Sequence, residues 1–216
     1  MAIILEKTGD SHKIDLSKHG DNASKEIVIN LNWGNQNTQN KGFFAKLFSS
    51  SSEIDLDLGV WYELQNGTKS CIDGLQFAHG MGGNKNQVTK QGCYTQAPWI
   101  WHSGDDRTGS ADAGENILLN PQGISDLKRI TVYTFIYEGA AKWAETNAVV
   151  TVKVPGNQDI VVEMGKQYSA EKFCAIAEII FDNNSMTVKK LITFHNGHGD
   201  CDKKYNWGMQ WKSGSK

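Results

Sequence analysis

Proline is scarce, at 3 of 216 residues, and no apolar run approaches the ~18 residues that a membrane-crossing helix needs. The opening stretch Met1-Ala2-Ile3-Ile4-Leu5-Glu6 carries too short an apolar run for a secretory signal. No charge of one sign dominates. Lys and Arg number 22 against 24 Asp and Glu, for a net charge of −2, and no dense basic block occurs. That argues against nucleic acid or an anionic membrane surface as a partner. The four cysteines, Cys71, Cys93, Cys174 and Cys201, include no CxxC pair, which excludes zinc-ribbon and thioredoxin readings. Their even number leaves disulfides open, but the expectation is a cytoplasmic protein with reduced thiols. No GxSxG elbow, HExxH helix or P-loop marks a nucleophile, zinc or nucleotide site. With little proline and evenly spread glycine there is no linker signal. Residues 1–216 therefore read as a single domain, long enough to bury a sizeable core.

Strand signals are what the chain does have. Glu26 to Trp33 is rich in β-branched residues, and Ile54, Leu56, Leu58 and Val60 alternate with Asp55, Asp57, Gly59 and Trp61. A period of two predicts a half-buried strand for the latter. Arg129–Tyr137, Asn147–Val154 and Asp159–Met164 read as further strands, the second stopped by Pro155-Gly156. Cys174–Phe181 and Met186–Phe194 form a hairpin across Asp182-Asn183-Asn184-Ser185. Ala140 to Glu145 is the one short helix or turn signal. The polar stretch 34–52, which encloses Gly42-Phe43-Phe44-Ala45-Lys46-Leu47-Phe48, and the glycine-rich stretch 79–98 read as surface excursions. The strand–turn rhythm predicts an all-β, antiparallel β-sandwich with a few short helices and long surface loops.

Two acidic strings stand out. In Glu53-Ile54-Asp55-Leu56-Asp57 the acids share one face of an extended strand, about 7 Å apart. They lie opposite an apolar face, and packing of both faces would make them costly as unpaired charges. In the segment His102 to Glu115, the acids Asp105, Asp106, Asp112 and Glu115 are interspersed with glycines that permit sharp turns. Hard oxygen donors on a turning backbone suit Ca²⁺, which takes about 6–8 oxygens, better than the rigid octahedron of Mg²⁺. The spacing departs from an EF-hand, and no amphipathic helices flank it. Asp and Gly are also ordinary turn residues, so a solvated loop without metal stays open.

At these residues the chain resembles the TerD-domain family of tellurium-resistance and stress-response proteins, and within it the TerA-type branch. The family's aspartate-rich strand is matched by Glu53 to Asp57. Its GD-[ND]-x-TG loop is matched by Gly104-Asp105-Asp106-Arg107-Thr108-Gly109, followed by Asp112 and Glu115. Leu16-Ser17-Lys18, Asn30-Leu31-Asn32-Trp33, Gly114-Glu115-Asn116-Ile117 and Phe135-Ile136-Tyr137-Glu138-Gly139 extend the likeness over residues 3–211. The resemblance implies a β-sandwich without catalytic activity that binds Ca²⁺ through both acidic strings. It also implies a role in resistance to tellurite, phage and colicin, in complexes with other stress-response proteins near the inner face of the membrane. Two departures from the family pattern bear on the site. Ser110, Ala111, Ala113 and Gly114 stand where the family loop carries more acids, which predicts that one of its two cation sites is weak or absent. Glu53 replaces an Asp with a longer arm.

Two rival readings come from the residues. Gly42 to Phe48 could dock a partner in a metal-independent interaction module. Alternatively, Asp105 or Asp112 with a metal-bound water could serve a hydrolase. The spacing of His195 and His198, with Cys201 nearby, could hold a soft metal, but ordinary loop histidines are the simpler reading. The four cysteines could take part in tellurite chemistry, although inert buried thiols are expected. The pair Trp99 and Trp101, with Trp207 and Trp211, suits packing against sheet rims better than sugar stacking.

Overall fold

The alternating segments form two β-sheets packed face to face. The computed structural model describes residues 1–18, 25–33, 54–77, 83–104 and 114–212. In chain order the elements are β1 (Ile3–Ile4), β2 (Ser11–Asp15), β3 (Ile27–Asn32), β4 (Leu56–Leu64), β5 (Lys69–Ile72), α1 (Gly74–Phe77), β6 (Gly92–Cys93), β7 (Ile100–His102) and β8 (Glu115–Leu119). They continue as β9 (Leu127–Ile136), α2 (Trp143–Thr146), β10 (Val149–Lys153), β11 (Ile160–Glu163), β12 (Phe173–Asp182), β13 (Ser185–His195) and α3 (His198–Tyr205). One sheet has the order β1-β11-β10-β3-β8-β7-β6 and the other β2-β13-β12-β9-β4-β5. All pairings between these strands are antiparallel except β1 with β11.

The expected hairpin is β12–β13. Asn183 opens its turn at a φ of 48°, a left-handed conformation that asparagine tolerates. The alternating apolar residues of both sheets meet between them: Ile27, Ile29 and Leu31 of β3, Leu56, Leu58 and Val60 of β4, Ile117 and Leu119 of β8, and Ile130 and Val132 of β9. Each fully buried Leu, Ile or Val contributes ~1.5–3 kcal/mol relative to exposure, so this layer dominates stability.

Two expectations are corrected. The strand beginning near Ile54 is not half-buried. Asp57, Trp61 and Glu63, on its supposedly wet face, are buried as completely as its apolar face. The reason is a second apolar layer on the outside of that sheet. Trp61, Tyr133, Phe135, Phe173 and Leu191 are covered there by Cys201 of α3 and by Trp207, with Met209 and Trp211 packed against them. The stretch 79–98 is not wholly an excursion either. Its Gly92–Cys93 pairs with β7 as the edge of the larger sheet, and Gln91 is buried, its side-chain amide donating to the His102 carbonyl at 3.1 Å. The segment Gly42 to Phe48 lies outside the described residues.

Candidate functional site

One end of the sandwich collects the described members of the acidic set. β3 ends there, β4 begins, β7 ends and β8 begins. Asp55 immediately precedes β4, Asp57 is its second residue, and Glu115 is the first residue of β8. Asp105, Asp106 and Asp112, together with Glu53, lie outside the described residues. The residues that flank the loop, Gly104 and Gly114, are described and anchored. Gly104 donates its N–H to Nδ1 of His102 at 3.1 Å. Gly114 takes a φ of 53° and packs so tightly on β3 that a Cβ there would lie 2.2 Å from the Leu31 carbonyl oxygen. Nearby, Ser103 bonds the Asn116 carbonyl through both its N–H and its hydroxyl. Asn30 bonds the Asn116 side chain across the β3–β8 ladder at 2.8 Å.

Strand parity separates the described carboxylates. Glu115 shares its face with Ile117 and Leu119, which point between the sheets. Asp57 shares its face with Trp61, on the outer side of β4. Both are buried, and Asp55 is half-buried. The link between the two faces is the Leu58 backbone. Its N–H donates to Glu115 Oε2 at 2.6 Å, and its carbonyl accepts from His102 Nε2 at 3.0 Å. Because Nδ1 of His102 accepts from Gly104, that nitrogen carries the lone pair and Nε2 carries the hydrogen. His102 Nε2 and Glu115 Oε2 stand 3.7 Å apart. Among the described residues no three His, Cys, Asp or Glu side chains converge on one point. An all-oxygen set at this end therefore needs the donors of the loop. The donor chemistry, carboxylates without a thiol, fits Ca²⁺ rather than a soft metal.

A second polar cluster escaped the sequence reading. Asp73, just after β5, accepts from the Tyr133 hydroxyl at 2.5 Å and from His198 Nε2 at 2.9 Å. Burial alone would push the Asp73 carboxyl up. The His198 hydrogen bond and charge, with the Tyr133 hydroxyl and the Gln76 N–H, outweigh burial and hold it below the ordinary aspartate value. The His198 ring is surrounded by Trp61, Tyr133, Phe135, Phe173 and Trp211. Asp73 and His198 are 125 residues apart, and no local pattern links them. His195 is occupied separately, with Asp200 at 3.6 Å and the Thr193 hydroxyl at 2.9 Å. The two histidines thus engage different carboxylates, and the soft-metal reading falls. All four cysteines are free thiols. Burial pushes Cys71 up to about 12, with help from Asp73, and burial likewise raises Cys174 and Cys201. Trp99 packs against Gly123 and donates to Asp126 at 2.7 Å, a rim-packing role.

No helix among the described residues is long and apolar enough to cross a membrane. No family model matches the chain. The tellurium resistance protein TerA of Alcaligenes sp. is 34% identical over 191 residues, which is 88% of this chain and 52% of that protein. The chain thus spans about half the length of the curated relative it matches. A crystal structure of a protein of unknown function, SAV2460, superposes with a TM-score of 0.54 at 12% identity, covering 87% of this chain and 99% of that one, and shares the fold. A homologue of the telluride resistance protein TerD from Streptomyces coelicolor gives a TM-score of 0.49 at 12% identity, over 82% of this chain and 94% of that one. A third of the residues are shared with TerA across most of this chain, so the chain is related in sequence to about half of that tellurium resistance protein.

Proposed function

We propose that the chain is a non-enzymatic Ca²⁺-binding protein of the tellurite-resistance type, whose bound ion organises a surface used by partner stress-response proteins. Asp55 and Asp57 would supply donors at the start of β4. Asp105, Asp106 and Asp112 would supply the rest. The supporting observation is that Gly104 and Gly114, which flank the acidic loop, are both fixed by hydrogen bonding or packing at the end of the sandwich where Asp55, Asp57 and Glu115 gather. Buried carboxylates are costly as bare charges, and a captured divalent ion would offset that cost. The working site of the protein would be the cytoplasm, at the inner face of the membrane in a complex.

The test is a thermal melt with Ca²⁺ and with chelator. A ligand at about 100 times its Kd stabilises the folded form by about 2.7 kcal/mol, which for a chain of this size raises Tm by about 5–11 °C. Equal melting temperatures would refute the reading. Titration calorimetry on wild type and on Asp105→Ala gives the stoichiometry and tests one named donor.

A further inference from the structure

β5 stops short of the acidic end. Its last residue, Ile72, pairs with Val60, and β4 continues beyond it towards Asp57. In an antiparallel ladder alternate residues direct both N–H and C=O to the same neighbour. Val60 and Tyr62 direct theirs to β5, and the next in that series is Leu58, where β5 has ended. Two side chains from the opposite sheet take the place of the missing strand. Glu115 Oε2 accepts the Leu58 N–H at 2.6 Å, and His102 Nε2 donates to the Leu58 carbonyl at 3.0 Å. Each is 1% exposed, and a 2.6 Å bond from an amide to a buried carboxylate is a strong one. The N–H that Glu115 holds belongs to the same planar peptide unit as the Asp57 carbonyl, so fixing it fixes the Asp57 backbone. His102 extends the connection, because its other ring nitrogen holds Gly104 at the mouth of the acidic loop.

We propose that Glu115 and His102 are positioning residues, a buried clamp on the Leu58 peptide that sets Asp57, and that Glu115 acts through this clamp rather than as a cation donor. The cation part of this inference rests on the calcium reading above; the clamp itself does not. Glu115 enters between the sheets while Asp57 faces outward, with the β4 backbone between them. The carboxylate is thus turned towards the strand it holds.

The experiment compares Glu115→Gln, Glu115→Ala, His102→Leu and His102→Gln with wild type. Each is titrated with CaCl₂ by calorimetry, and Leu58 amide exchange is followed by NMR in chelator. Glutamine retains an acceptor for the Leu58 N–H and loses only the charge. Glu115→Gln is expected to keep Ca²⁺ affinity within about threefold, whereas Glu115→Ala and His102→Leu weaken it by about tenfold or more, as loss of a group that orients a ligand does. In the same two variants the Leu58 amide exchanges faster than in wild type. His102→Gln, whose amide reaches the Leu58 carbonyl as a donor, recovers both readouts. Loss of about tenfold or more in affinity in Glu115→Gln with a protected Leu58 amide would make Glu115 a donor and overturn the inference. Unchanged Leu58 exchange in Glu115→Ala would overturn the clamp. Should Glu115→Ala fail to fold, Glu115→Gln and the two His102 variants decide by the same criteria. Absence of Ca²⁺ uptake by wild type would refute the calcium reading alone, and Leu58 exchange in chelator would still judge the clamp.

Discussion

Replacing Asp73 with alanine removes the carboxylate on which two elements of the outer layer converge. Tyr133 reaches it from β9 and His198 from the start of α3, at 2.5 and 2.9 Å, and the Gln76 N–H adds a third bond at 3.1 Å. Asp73 is fully buried, and the His198 side chain is 17% exposed. The substitution therefore leaves a hydroxyl and an imidazole in an aromatic enclosure without their acceptor. Breaking one side of a buried hydrogen-bonded pair costs about 3–5 kcal/mol. At ~2–4 °C per kcal/mol for a chain of this length, the melting temperature should fall by about 6–20 °C. Tyr133→Phe, which deletes one hydroxyl bonded to a charged acceptor, should cost about 1.5–3 kcal/mol. Thermal melts and urea titrations followed by tryptophan fluorescence, all in chelator, report both variants, since Trp61 and Trp211 flank the His198 ring. An Asp73→Ala protein melting within about 2 °C of wild type would show that the cluster does not fasten α3 to the sheet.

Two more outcomes follow from the same layer. Because His198 and Tyr133 hold the Asp73 carboxyl below its ordinary value, the folded chain keeps it ionised where the unfolded chain binds a proton. Its contribution is present above the unfolded value of about 4 and is lost as pH falls through the lower folded value. The urea midpoint of wild type should therefore drop on acidification below about pH 4, and Asp73→Asn should flatten that limb; an equally steep limb in the variant contradicts the assignment. Gly59 lies beneath the Tyr133 ring, where a Cβ would come within 2.3 Å of Cε2. Gly59→Ala should cost about 1–3 kcal/mol in urea titrations, and an unchanged midpoint would mean that the ring yields freely.

The strands that carry both sheets were legible where their own alternation sufficed. β3, β9, β10, β11 and the β12–β13 hairpin all fall within a residue or two of the segments read from apolar periodicity. The short strands were not. β7 and β8 contribute few residues of pattern each, and their place is set by neighbours, β8 by pairing with β3 and β7 by pairing with β8. α3 was missed because His198 to Tyr205 is mostly polar, with Cys201 as the apolar residue that the sheet buries. The second covered face of β4 was invisible for the same reason, since its cover comes from the far end of the chain. At the acidic end the sequence identified residue types but not sides: Asp57 and Glu115 read as members of one cation-binding set, while parity sets them across a strand. His102 carried no signal at all. Its value comes from standing where a neighbouring strand runs out.

That vacant stretch of strand has a further meaning for how the molecule behaves in a crowded solution. Unclaimed amides and carbonyls on a strand margin invite intruding chains and seed aggregates. Here the invitation is withdrawn by a carboxylate and an imidazole supplied from across the core. The two sheets thus police each other's borders, and a chain stripped of that guard would tend to recruit its own copies before it lost its fold.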